Sequence, residues 1–220
     1  HEIRGRTLGI LGYGHIGAQV SILAEAMGMR VLYHDHQPKL PLGNAFQVDS
    51  LDTLLQVSDV LTIHVPDTPL TQNLIDADAI SKMKSNAFLL NNARGSIVDL
   101  GALAVALRTG HLRGAAIDVF PEEPSENDSS FGHELCGIEN VILMGVHLNM
   151  CVLGRPVGIR QMVNIGKNVV LMRDMTDTMY NPKKRPFVSH YEGTELVVKH
   201  VEKFWCPSIT STAISGKAPF

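Results

Sequence analysis

The chain has 220 residues, of which 45% are hydrophobic and 19% are charged, and this composition indicates a globular protein. The formal net charge of -3 provides no basic excess for nucleic-acid binding, and no run of about 20 apolar residues is present to cross a membrane. The three scattered cysteines form no CxxC pair, and the N-terminal HEIRGRT has no apolar signal core. We therefore expect a cytoplasmic protein, and we predict no metal site.

The charge balance changes sharply near residue 146. Residues 1–146 carry 9 Lys and Arg against 17 Asp and Glu, whereas residues 147–220 carry 10 against 5. A shift of this kind marks a boundary. It predicts a domain over residues 1–146 and a divergent, irregular tail over residues 147–220.

Strands and helices alternate through the first part of the chain. Apolar runs predict strands over 7–12, 30–34, 59–64, 87–91, 114–119 and 140–143, and helical spacing predicts helices over 14–28, 51–57, 77–83 and 100–108. This alternation predicts an α/β fold with a doubly wound parallel sheet. In the tail, weaker patterns predict helices over 158–173 and 194–204.

A glycine-rich turn follows the first predicted strand. Gly12, Gly14 and Gly17 form a GxGxxG motif that opens the first helix, and Asp35 ends the second strand 18 residues after Gly17. This order is typical of a dinucleotide site, where the first glycine permits the turn, the second admits the pyrophosphate and the third allows close helix packing. Asp35 is expected to accept hydrogen bonds from ribose hydroxyls and to repel a 2′-phosphate, which favours NAD over NADP.

Other candidate residues follow the remaining strands at the same expected sheet edge, where open α/β sheets bind their ligands. They are the segment His64-Val65-Pro66, the segment Asn91–Gly95 and Asp118. Arg94 is placed to bind a carboxylate through two hydrogen bonds, and a nearby acidic residue can tune a histidine for proton transfer. Each has a plain structural alternative: a strand-end histidine, a surface ion pair or a solvated acidic loop.

Together these segments resemble the D-isomer-specific 2-hydroxyacid dehydrogenases. The resemblance extends over residues 1–146 and includes HEIRGRTLGILGYGHIG, SDVLTIHVP, NNARGSIVD and GAAIDVFPEEP. The segment KLPLGNA at 39–45 favours the members that act on 3-phosphoglycerate. The resemblance implies NAD-dependent oxidation of 3-phosphoglycerate to 3-phosphohydroxypyruvate, the entry to serine synthesis. It also implies a homo-oligomer formed through the nucleotide-binding domain.

The resemblance further implies roles for individual residues. It assigns Arg94 to the substrate carboxylate and Glu123 to the acid that pairs with a catalytic histidine. The residues it assigns to the pyrophosphate, the ribose and the nicotinamide side of the cofactor are, in chain order, His15, Ile16, Asp35, Asn92, Ala93 and Asp118.

The chain departs from the family where the catalytic histidine is expected. Val146 occupies that position, and His147 follows one residue later. One step along an extended segment turns a side chain to the other face, so His147 replaces the missing imidazole only if a local bulge restores its direction.

Three alternatives to this function stay open. The chain could belong to a dehydrogenase for another 2-hydroxyacid, such as glyoxylate, hydroxypyruvate or 2-hydroxyglutarate. It could be an NAD-binding module without activity. It could also be a product whose tail, read in a shifted frame, does not fold.

Overall fold

The computed structural model of the protein describes residues 2–121, 140–145, 148–154, 158–178 and 181–212. They divide into two compact units, one containing the described residues up to 121 and the other containing those from 140 onward. The boundary after residue 146, which the charge balance favours, stays a prediction. In the described part of the chain, no helix has the length and hydropathy that crossing a membrane requires.

The first unit alternates strands and helices in the predicted order, except for a short strand between the second strand and the second helix that the sequence did not predict. Its strands are β1 (Thr7–Leu11), β2 (Arg30–His34), β3 (Phe46–Gln47), β4 (Val60–Ile63), β5 (Ala87–Asn91) and β6 (Leu112–Ile117). Its helices are α1 (His15–Ala26), α2 (Leu51–Val57), α3 (Ala77–Lys82) and α4 (Leu100–Arg108), with a short 3-10 turn at Gly95–Ile97.

These six strands form one parallel sheet in the order β3-β2-β1-β4-β5-β6. The predicted doubly wound parallel sheet is therefore confirmed. The register pairs Leu11 with both His34 and Ile63, then Ile63 with Asn91 and Asn91 with Ile117. The carboxyl ends of β1, β2, β4, β5 and β6 consequently lie at one edge of the sheet. The strand order reverses between β1 and β4, where ligands bind in such sheets.

Apolar burial on both faces of the sheet stabilises this unit. Every residue of β1 is buried, as expected for a central parallel strand covered on both sides. One cluster includes Leu61, Leu89 and Leu103, and the other includes Ile10 and Tyr33. Burying side chains of this size contributes about 1.5–3 kcal/mol each.

The second unit contains more regular structure than the irregular tail predicted from the sequence. Its elements are β7 (Asn140–Gly145), a π-helical turn (Leu148–Val152), α5 (Ile159–Asn164), β8 (Asn168–Thr176), α6 (His190–Phe204) and β9 (Ser208–Ile209). The strands form a three-stranded parallel sheet in the order β7-β8-β9. Leu148, Ile159, Leu171 and Val201 belong to its apolar core.

Two elements of this unit differ from the prediction. The helix predicted over 158–173 is wrong beyond Asn164, because the chain turns at Gly166, where φ is 79°, and continues as β8. The strand predicted at 140–143 is present as β7, but it pairs with β8. The helix predicted over 194–204 is confirmed as α6, which begins earlier because Ser189 and Glu192 form a capping box there.

Asp59 stabilises the amino-terminal edge of the first sheet. Its Oδ2 accepts from the Thr7 backbone N–H at 2.8 Å and its Oδ1 accepts from Lys84 Nζ at 3.2 Å. Burial alone would raise the pKa of the Asp59 carboxyl, but the Thr7 and Lys84 donors outweigh it and hold the pKa below its ordinary value. Its contribution to stability is therefore present above the unfolded pKa and lost as the pH falls through the folded pKa.

We expect Asp59→Asn to lower the free energy of unfolding by about 1 kcal/mol at neutral pH, because it removes a charge-assisted pair. Urea unfolding between pH 3 and pH 7 measures this, and the gap between wild type and variant should close on acidification. Asp67→Asn, at an exposed loop position, is the control. A gap that is constant with pH would contradict the assigned role of the charge.

Candidate functional site

The carboxyl-terminal edge of the first sheet gathers the predicted site residues. Gly12 follows β1 and donates its N–H to the His34 oxygen at 2.9 Å, while the His64 N–H donates to the Leu11 oxygen at 2.7 Å. On the other side of β4, the Asp118 N–H donates to the Asn91 oxygen at 3.0 Å. The parallel register therefore places the segments after β1, β2, β4, β5 and β6 along one edge.

The glycine turn at this edge has no room for larger side chains at two positions. Gly12 has φ of 93°, and a Cβ there would lie 2.8 Å from the His64 carbonyl carbon. A Cβ on Gly17 would overlap the Gly12 carbonyl oxygen. Contacts below 3.0 Å require the backbone to shift, so both glycines are needed for β1, α1 and the end of β4 to meet.

Gly14 differs from its two neighbours because open space surrounds it. Among the described residues, no atom outside its chain neighbours lies within 4 Å of the position where its Cβ would be. Gly14 is the N-cap of α1, which has no side-chain cap and no acidic residue in its first turn. The N-terminus of this 12-residue helix, with its free N–H groups and the positive end of its dipole, is the kind of position at which proteins bind anions such as phosphates.

Asp35 lies beside this turn with its carboxylate already oriented. Its Oδ2 accepts from the Tyr13 N–H at 2.9 Å, and its Oδ1 accepts from the Gln37 N–H at 3.0 Å. The His36 Nδ1 lies 3.2 Å from the same Oδ1. An ionised carboxylate has about four acceptor positions, so it retains capacity for a ligand hydroxyl. Asp35 and His36 also line an open cavity of about 350 Å³.

The segment His64-Val65-Pro66 leaves the end of β4 next to the glycine turn. The His64 ring is half-buried, and its Nε2 lies 3.0 Å from the Thr62 hydroxyl. Burial lowers the pKa of His64 and so favours its neutral imidazole. Val65 packs against the larger apolar cluster, and the Pro66 oxygen accepts from the Thr71 hydroxyl at 2.7 Å.

The loop after β5 is shaped by Asn91, which the sequence analysis placed in the candidate segment without a role of its own. Its buried amide donates to the Arg94 oxygen at 2.9 Å and accepts from the Ala93 N–H at 3.1 Å. Asn92 and Arg94 are exposed, and Arg94 Nη1 donates to the Ala93 oxygen at 2.7 Å. Within the described part of the chain the Arg94 guanidinium forms no ion pair, which leaves it suited to an anionic ligand.

The predicted residues are brought together to different extents. The glycine turn, with His15 and the exposed Ile16 on the first turn of α1, shares the edge with Asp35, His64, Ala93, Arg94 and Asp118. Glu123, Val146 and His147 lie outside the described residues. The pair Asn91-Asn92 at the end of β5 was the sequence signal for the loop that Asn91 stabilises. Tyr13 and Tyr33, whose stacked rings lie beneath this site, gave no such signal.

A six-stranded parallel sheet with this strand order, glycine turn and strand-end acid defines a dinucleotide-binding domain. The family model of the D-isomer-specific 2-hydroxyacid dehydrogenase NAD-binding domain matches residues 1–148. The chain belongs to this family, and its first part is an NAD-binding domain.

Curated relatives and solved structures agree with this assignment. The chain is 54% identical over 143 residues to D-3-phosphoglycerate dehydrogenase of Haemophilus influenzae and 55% identical over 143 residues to that of Dictyostelium discoideum. Each match covers 65% of this chain and 35% of the relative, so the chain spans about a third of the length of these proteins.

Two solved structures were determined with NAD bound. The D-isomer-specific 2-hydroxyacid dehydrogenase of Lactobacillus delbrueckii matches with a TM-score of 0.54 and 36% identity, over 60% of this chain and 39% of that one. The NAD-dependent formate dehydrogenase of Staphylococcus aureus matches with a TM-score of 0.55 and 39% identity, over 58% and 38%.

Alanine at two glycines of the turn should affect different properties, NADH affinity at one and the stability of the fold at the other. Gly14→Ala places its methyl group in the space open to the pyrophosphate, so we expect NADH affinity to fall at least about tenfold with unfolding free energy unchanged within about 0.5 kcal/mol. Gly17→Ala overlaps the Gly12 oxygen and should destabilise the fold by about 1–3 kcal/mol.

Fluorescence titration with NADH and urea unfolding of both variants measure the two effects. Gly154→Ala, in the second unit, is the matched control, because it too has no left-handed φ and no described atom within 4 Å of a Cβ. If Gly14→Ala binds NADH as wild type does, the pyrophosphate does not occupy this space.

Proposed function

We propose that this chain is the nucleotide-binding part of an NAD-dependent dehydrogenase that oxidises 3-phosphoglycerate to 3-phosphohydroxypyruvate in serine synthesis. The observation that carries this proposal is the glycine turn with Asp35 in a chain 54% identical to a D-3-phosphoglycerate dehydrogenase over 143 residues. The segment KLPLGNA at 39–45 supports this substrate over glyoxylate, hydroxypyruvate or 2-hydroxyglutarate.

Within this proposal the cofactor is held largely by the backbone. The N-terminus of α1, at Gly14, His15 and Ile16, binds the pyrophosphate, and Asp35 accepts from the adenosine ribose hydroxyls. The edge segments at 64–66, 92–93 and Asp118 contact the remainder of the dinucleotide. When bound, NAD supplies the hydride acceptor for the substrate alcohol.

Arg94 is the residue we assign to the substrate carboxylate. Arg94 follows the carboxyl end of β5, is exposed, and donates from its guanidinium to the Ala93 oxygen at 2.7 Å. Gly95 is packed so closely that a Cβ would overlap the backbone of Phe120 and Pro121, which fixes the course of the chain after Arg94. A planar guanidinium in this position matches a carboxylate through two hydrogen bonds.

Oxidation of the substrate alcohol needs a group that accepts its proton. The sequence has no histidine at the position where the resemblance expects this group, and this favours a second candidate function. The resemblance places a histidine where Val146 stands, with Glu123 as its partner. Loss of a general base costs about 10²–10⁴-fold in rate. The second candidate is therefore an NAD-binding module without turnover, unless His147 reaches the substrate instead.

We extend the proposal to assembly and location. Ile16 and Leu23 on α1 and Met27 at its C-cap are each more than half exposed. Exposed apolar residues of this kind support association between copies of the nucleotide-binding domain. The protein is proposed to act in the cytoplasm.

Two measurements on the full chain test the function. We expect NADH to bind, as measured by fluorescence titration, and 3-phosphoglycerate oxidation to be slow, as measured by NADH formation. Val146→His should raise the oxidation rate about 10²–10⁴-fold without changing NADH affinity, because it restores a proton acceptor. Binding of NADH with no turnover in either protein would instead favour the inactive module.

Arg94→Gln tests the substrate site in the more active of these two proteins. We expect kcat/KM for 3-phosphoglycerate to fall about 10–100-fold with NADH affinity unchanged, because hydrogen bonds to a charged partner are lost. Arg113→Gln, at an exposed arginine on β6, is the control. Equal losses in both variants would show that Arg94 does not bind the carboxylate.

A further inference from the structure

The backbone of the loop formed by residues 39–45, KLPLGNA, is hydrogen-bonded to the side chains of two buried tyrosines and one glutamate. Tyr33 donates its hydroxyl to the Lys39 oxygen at 2.8 Å, and Tyr13 Oη accepts from the Leu42 N–H at 3.2 Å. Glu25 Oε1 accepts from the Asn44 N–H at 2.7 Å. The loop is thus attached near its start, its middle and its end.

The hydroxyl of Tyr13 belongs to a directed chain of hydrogen bonds. Ser21 donates its only hydroxyl proton to the Ala18 oxygen at 2.8 Å, so its oxygen must accept from Tyr13 at 2.7 Å. The Tyr13 hydroxyl, having donated to Ser21, accepts from Leu42. The side chains of Tyr13 and Ser21 are both buried, so departure of the loop leaves a buried hydroxyl short of a donor.

The backbone of Tyr13 connects this chain to the cofactor site. Tyr13 lies between Gly12 and Gly14, and its N–H donates to Asp35 Oδ2 at 2.9 Å. Its ring stacks on Tyr33 with the two centroids 3.8 Å apart. The second Asp35 oxygen accepts from the Gln37 N–H, two residues before the loop begins. Both ends of the carboxylate are therefore oriented by groups that the loop constrains.

We propose that Tyr13 is a positioning residue that couples the order of the 39–45 loop to Asp35, and so sets the affinity for the ribose of NAD and the preference for NAD over NADP. This inference rests on the proposed nucleotide binding. A carboxylate held in its binding orientation before the ligand arrives loses less freedom on binding. Release of the loop removes the Leu42 contact that helps to hold Tyr13, whose backbone N–H is one of the two donors to Asp35.

The test uses the full chain with Tyr13→Phe, which keeps the stacked ring and removes only the hydroxyl. Residue-resolved amide hydrogen exchange by NMR, without nucleotide, should show faster exchange at Leu42 and also at Gln37, about three- to tenfold each. Fluorescence titration should show NADH binding weakened about three- to tenfold, with NADPH affected less. Tyr191→Phe, which removes an exposed hydroxyl in the second unit, is the control and should change neither.

Glu25→Ala keeps the proposal testable if Tyr13→Phe does not fold. It releases the loop at Asn44 without touching Asp35, and it should shift exchange and NADH affinity in the same direction. Glu25→Gln retains an acceptor oxygen and should restore both towards wild type.

Unchanged exchange at Leu42 in Tyr13→Phe would overturn the proposal. Faster exchange at Leu42, with Gln37 protection and NADH affinity unchanged, would overturn it too. Failure of the wild-type chain to bind NADH would reject the proposed function instead. The exchange measurements need no nucleotide and would still decide whether the loop is coupled to Asp35.

Discussion

The close approach of three backbone segments at the end of β1 is the constraint on which the nucleotide-binding unit depends. Gly17 on α1 touches the Gly12 carbonyl, and Gly12 in turn touches the end of β4 at His64. Because neither glycine carries a Cβ, the helix can start directly over the end of the strand. That geometry points the first N–H groups of α1 at the sheet edge, where the ligand of such a sheet lies.

The same turn fixes the position of the acidic residue that completes the site. Tyr13 lies between two glycines, so its N–H is directed sideways to Asp35 at the end of the neighbouring strand. The parallel register places Leu11 beside His34, and Asp35 follows immediately. Strand pairing, turn and carboxylate are therefore parts of one arrangement, and the tyrosine side chain extends it to the 39–45 loop.

The sequence predicted the first unit well because its signals are local. Each buried strand is an apolar run, each of α2, α3 and α4 begins at a side-chain cap, and the glycine turn is contiguous. The stacking of Tyr13 on Tyr33 joins residues far apart in the sequence, and no spacing reveals it. The role of Asn91 is local, since its amide bonds to Ala93 and Arg94 directly after β5. The helix predicted over 158–173 failed for a different reason. Its apolar residues fit a helical period, but Gly166 and the β-branched pair Val169 and Val170 favour the turn and strand that form.

Binding and chemistry in this chain depend on different kinds of structure. The proposed cofactor site consists of backbone N–H groups, three glycines and one carboxylate, all positioned by the sheet and present in this chain. A proton acceptor is instead a single side chain, whose direction on an extended segment reverses with a shift of one residue. The resemblance to the family expects a histidine at the position of Val146, and His147 is the next residue in the sequence. A nucleotide-binding domain therefore keeps its affinity through changes that remove turnover, which is why NADH binding and 3-phosphoglycerate oxidation must be measured as separate properties of this protein.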